Sequence, residues 1–95
     1  MSQRFKKFLE ALEKAQKKRP EKSNWLSNSE IEWMVFERET MLNLINSERK
    51  SIGKNPIDMN KVIKVENQAV GHFDYSRKFA LYCSELVESD NMPPP

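Results

Sequence analysis

Phe5, Phe8, Leu9, Leu12 and Ala15 recur three or four positions apart at the start of the chain, with Lys7, Lys14, Lys17 and Lys18 on the opposite side. A helical period puts those apolar groups on one face, so the spacing predicts an amphipathic helix over about 4–18. Pro20 stops it. The polar run "PEKSNWLSNSE" follows, interrupted by Trp25 and Leu26. Ser27 and Glu30 form a capping box, and Leu26 with Ile31 fits the hydrophobic staple around it. A second helix is therefore predicted over about 28–51, closed by Gly53 and prevented from continuing by Pro56.

On a wheel of that second helix Ile31, Met34, Val35, Met41, Leu42, Ile45 and Ile52 form one stripe, the expected core face. Trp33, Phe36 and Leu44 form a second, narrower patch, which suits a helix lying between neighbours. After "GKNPID", Asp58 fits an N-cap with Ile57 and Val62 as its staple, and apolar periodicity runs on to Val87. A third helix is predicted over about 59–88. Gly71 leaves two readings open, one helix with a close-packing glycine or two helices broken at 71. The predicted core face here runs through Val62, Ala69, Phe73, Ala80, Cys83 and Val87.

The fold class expected from this pattern is all-α: a small bundle of three helices, four if the chain breaks at Gly71. The second and third helices would form an antiparallel hairpin with the first packed across them. Two glycines and five prolines in 95 residues suit a few long helices better than many short strands. That length supports one core and one domain, residues 1–90, with the proline-rich 91–95 expected to have no fixed structure.

Three charges fall inside the apolar stripes. Arg38 and Arg49 lie on the core face of the second helix, and Glu66 lies among Val62, Ala69, Val70 and Phe73 of the third. Charges are tolerated in a core when paired, so Glu66 is expected to contact Arg38 or Arg49. The alternative is that these long side chains snorkel to the surface.

Little in the sequence resembles reaction chemistry. One Cys and one His give no metal-ligand spacing and no disulfide, and no catalytic group or cofactor is expected. On a continuous helix His72 and Cys83 would sit about 16 Å apart along the axis, beyond the reach of a thiolate–imidazolium pair. No apolar run is long enough for a signal peptide or a membrane span, which with the unpaired cysteine suggests a cytoplasmic protein that does not cross a membrane.

Charge is unevenly placed. Residues 1–22 hold eight Lys and Arg against three Glu, net +5, and the remainder holds eight against eleven acids, net −3, which sum to the overall +2. Segregation of this kind allows contact with an anionic partner through Lys7, Lys14, Lys17 and Lys18, or internal complementarity.

His72, Tyr75, Phe79, Tyr82 and Leu86 form a further stripe spaced three and four apart, separate from the core face. Such a stripe packs lengthwise on another helix. Either it binds a protein partner or a second copy of the chain, or the first helix covers it with Phe5, Phe8 and Leu12. The function expected is a non-enzymatic protein-interaction module binding through this stripe, the alternative an accessory nucleic-acid-binding protein using the basic first helix.

Residues 41–61, "MLNLINSERKSIGKNPIDMNK", locally resemble the opening helix and loop of the CAP or SCP superfamily. That superfamily's mixed α/β domain is larger than this chain, and no residue role is carried over. Taken whole, the short length, lysine-rich amphipathic start and proline-rich end resemble the small helical proteins encoded by bacteriophages. That resemblance implies binding of a host or phage macromolecule, in the host cytoplasm, rather than turnover.

Overall fold

Ser2 opens the first helix by accepting the backbone N–H of Phe5 on its Oγ at 3.1 Å, satisfying a donor that has no partner within the helix. In the computed structural model, which describes residues 2–18 and 28–89, the described chain forms four helices and no strand. They are α1 (Gln3–Gln16), α2 (Asn28–Ser51), α3 (Met59–Ala69) and α4 (Tyr75–Leu86). The expected capping box at Ser27 and Glu30, the staple through Leu26, and the tail 91–95 lie outside the described residues or side chains.

The two glycines set the ends of α2 and α3. Gly53 takes φ +78° and donates its N–H to the Lys50 carbonyl, while the Lys54 N–H reaches the Arg49 carbonyl at 2.9 Å. This is the left-handed closure of a helix C-terminus. Asp58 occupies the N-cap of α3 without a side-chain cap bond, and Ile57 and Val62 are both buried. Gly71 takes φ +93°, a conformation open to glycine but strained for other residues, and the chain is not helical again until Tyr75. Of the two readings at Gly71, the structure has the break. A Cβ there would meet nothing within 4 Å, so the requirement is conformational rather than one of space.

One core serves all four helices. Phe8, Leu12, Met41, Ile45, Val62, Phe79, Cys83 and Val87 are fully buried in it. Burial of each such side chain favours folding by roughly 1.5–3 kcal/mol before chain entropy is counted. α1 contributes Phe5, Phe8, Leu12 and Ala15 and packs against both α4 and α2.

Several residues expected in the core lie outside it. Ile31, Met34 and Val35 are exposed on the first half of α2, and Phe73 is fully exposed in the turn before α4. Helix length explains the first group. At 1.5 Å per residue α2 is about 36 Å long, against about 21 Å for α1 and about 16 Å for α3, so its first turns outrun their neighbours. The break at Gly71 explains Phe73, because it removes that residue from the helical phase that put it beside Ala69 and Ala80. Ile52, also expected in the core, follows the last turn of α2 and is exposed.

Candidate functional site

Hydrogen bonds and ion pairs between helices gather at the two ends of the bundle, and the two ends differ. At one, Asn46 of α2 exchanges two bonds with the backbone of Ile57, donating to its carbonyl at 3.1 Å and accepting its N–H at 2.9 Å. Beside it Arg49 donates to the carbonyls of Asn55, Leu86, Val87 and Ser89. Lys7 of α1 meets Glu48 at 3.2 Å, and Arg4 meets Glu88 at 3.5 Å. This end ties the α2–α3 loop and the C-terminus of α4 to α2.

The opposite end gathers the C-terminus of α1, the first half of α2, the C-terminus of α3 and the N-terminus of α4. Arg38 donates from Nε and Nη2 to both oxygens of Glu66, the closest approach being 2.7 Å. Gln16 donates to the Ser76 hydroxyl at 2.9 Å, and the Trp33 indole N–H donates to the Ala15 carbonyl at 3.1 Å. Glu37 lies among them, 2% exposed. The Tyr75 hydroxyl donates to its Oε1 at 3.5 Å, and its Oε2 has no hydrogen-bond partner among the described residues.

Two buried carboxyls and one arginine therefore share this site. Burial, and after it the neighbouring Glu66 carboxylate, push the Glu37 carboxyl up from 4.5 to about 7, with Gln16, Tyr75 and Arg38 offsetting part of the rise. The Glu66 hydrogen bond holds Arg38 in its charged form, raising it further. Burial, then Glu37, raise the Tyr75 phenol well above its ordinary range, so it stays a donor. Burial also raises the Cys83 thiol, with Glu66 and Glu37 adding to it, and a protonated thiol is a poor nucleophile.

The folded chain thus keeps on Glu37 a proton that the unfolded chain releases near pH 4.5. Stability from this group is fully present below 4.5, falls as pH rises toward about 7, and levels off beyond it. A shift of this size corresponds to roughly 3 kcal/mol across the window.

Exposed apolar groups gather at the same end. Ile31, Met34 and Val35 lie one to two helical turns before Arg38 on α2, and Val70 and Phe73 lie just after Glu66 on the α3 side, so the Arg38–Glu66 pair puts both groups at this end of the bundle. Phe36 is also partly exposed, with the Lys18 ammonium 4.8 Å from the centre of its ring. Glu32, Glu39 and Asp74 are exposed among or beside these residues.

The sequence-predicted residues divide clearly. The stripe of His72, Tyr75, Phe79, Tyr82 and Leu86 is not a free surface: Phe79 is fully buried, and Tyr75, Tyr82 and Leu86 are partly buried against the core. α1 covers it, since Phe5, Phe8 and Leu12 share that core and α1 packs against α4. Only His72 is exposed, in the turn outside α4. Glu66 meets Arg38, and Arg49 instead binds backbone carbonyls. Lys7, Lys14, Lys17 and Lys18 are all exposed, Lys7 pairing with Glu48.

Glu37 was missed by the pattern, and the exposed Phe73 was assigned by it to the core. A signal for Glu37 existed, since it stands four residues after Trp33 and four before Met41, in line with apolar positions on α2. Among the described residues no three His, Cys, Asp or Glu side chains come together as metal ligands, and no helix is long and apolar enough to cross a membrane. No known protein family, curated protein or solved structure matches this chain.

Proposed function

We propose that the chain is a non-enzymatic protein-interaction module whose docking surface is the bundle end formed by the first half of α2 and the α3–α4 turn. The observation that carries this reading is Phe73, a wholly exposed phenyl ring, together with the exposed Val70 and the uncovered Ile31, Met34 and Val35. Large exposed apolar groups collected at one place mark interaction sites far more often than single ones do. On this reading α2 and α3 form the antiparallel hairpin, supported by Arg38 meeting Glu66 while Asn46 meets Ile57, pairs whose numbers run in opposite directions. The acids Glu32, Glu39 and Asp74 favour a partner helix that carries Lys or Arg beside its apolar residues. The resemblance to small phage-encoded helical proteins fits a binding role.

The alternative, nucleic-acid binding by α1, has Lys14, Lys17 and Lys18 exposed in its favour. Glu10 and Glu13 are exposed on the same helix and break up the cationic face, which is why it is placed second.

Titration with an amphipathic Leu/Lys helical peptide tests the first reading. Phe73→Ser with Val70→Ser is expected to weaken binding at least tenfold while the melting temperature stays within a few degrees, because both side chains are already in water. Equal binding by this variant and the parent, or no binding by the parent, would remove the proposed surface. A low-salt complex with duplex DNA or an RNA hairpin, abolished by charge reversal at Lys14, Lys17 and Lys18, would put the alternative in its place.

A further inference from the structure

We propose that Glu37 is a proton-operated switch for its end of the bundle: with a neutral carboxyl the four helices close around it, and with an ionised one α1 releases there from α2 and α4. This goes beyond the binding reading and does not depend on it.

Among the described residues the arrangement has one cation for two acids. Facing Glu37 are Gln16 from α1, Arg38 on its own helix, Glu66 from α3, and Tyr75 and Cys83 from α4. Arg38 is already engaged by both oxygens of Glu66, so its charge is matched before Glu37 ionises. Lys18, two residues past the end of α1, lies over the Phe36 ring and is exposed. Tyr75 reaches one Glu37 oxygen only at long range, and the other oxygen has no partner among the described residues. A second anion in this place must therefore be met by water, because among the described residues no further cation faces it.

Water has a short way in. α1 ends at Gln16, and at this end its bonds to its neighbours include Gln16 to Ser76 and Trp33 to the Ala15 carbonyl, both only partly buried. The far end differs, being held by the bonds of Arg49 and Asn46 to the backbone. Ionisation of Glu37 is thus a local event, and its titration near 7 puts that event in the neutral range.

Amide hydrogen exchange followed by NMR between pH 5.5 and 8.5, with each rate divided by its intrinsic pH-dependent value, tests the switch. In the parent chain, protection is expected to fall at least tenfold with rising pH in the last turn of α1 and at Lys78 and Phe79 near the start of α4, and to stay unchanged at Lys54 and Val87. Glu37→Gln, of the same shape and without a titratable proton, is expected to show a flat profile at both ends, and Glu37→Leu to behave as Glu37→Gln does. A fall of the same size in either variant, a parent profile that is flat, or an equal loss at both ends would overturn the proposal.

Discussion

Arg49→Met is expected to lower stability by about 3–5 kcal/mol, one of the two largest effects among the polar residues of this fold. The guanidinium is almost wholly buried and donates to Asn55 at 2.6 Å, Leu86 at 2.7 Å, Val87 at 3.1 Å and Ser89 at 2.8 Å. Three of these acceptors lie at or just past the C-terminus of α4, where carbonyls have no intrahelical partner and the helix dipole favours a cation. Met fills the space of the aliphatic stem and leaves those carbonyls without a donor. Each unmet group costs about 1–3 kcal/mol, partly recovered by water or small backbone shifts.

Arg49→Lys restores the charge but lacks the planar fork, so it is expected to recover less than half of the loss. In a domain of this size 1 kcal/mol moves the melting temperature by about 4–8 °C, so thermal unfolding followed by circular dichroism resolves all three proteins. A Met variant within 1 kcal/mol of the parent would show that Arg49 does not hold α4.

That Arg49 mattered was legible in the sequence, since a charge on the core stripe of α2 must be compensated. What compensates it was not. Side-chain patterns carry no record of where another helix ends, and the acceptors here are backbone carbonyls that every residue has. The pairing of Glu66 was legible as far as the choice between Arg38 and Arg49, because the candidate partners are side chains on faces that the wheel could locate, while the register of the helices, which decides between them, was not. The aromatic stripe through Tyr75, Phe79 and Tyr82 was legible as a packing face, but sequence periodicity is the same whether the cover is α1 or another molecule. Ile31, Met34 and Val35 were misplaced because amphipathic phase reports direction and not the length of the neighbour, and α3 stops at Ala69. Phe73 was misplaced for the related reason that a break resets the phase.

The Arg38–Glu66 pair gives the second large effect, and the two partners are expected to differ. Arg38→Met leaves Glu66 without its cation beside the buried Glu37 and should cost about 3–5 kcal/mol. Glu66→Gln should cost clearly less. It removes the carboxylate that helps to lift the Glu37 proton affinity and leaves the Arg38 charge uncommitted beside Glu37, which lowers the cost of ionising it. The double substitution Arg38→Met with Glu66→Met removes both charges together and should recover most of the loss, since well-packed apolar groups replace a buried ion pair at little net cost. Urea unfolding at pH 7 of the parent, Arg38→Met, Glu66→Met and the double variant closes the double-mutant cycle, with a coupling energy of about 2–3 kcal/mol expected. Equal costs for the two single substitutions would show that Glu37 does not respond to Glu66, and a coupling near zero would show that the pair, although well formed, adds nothing to the fold.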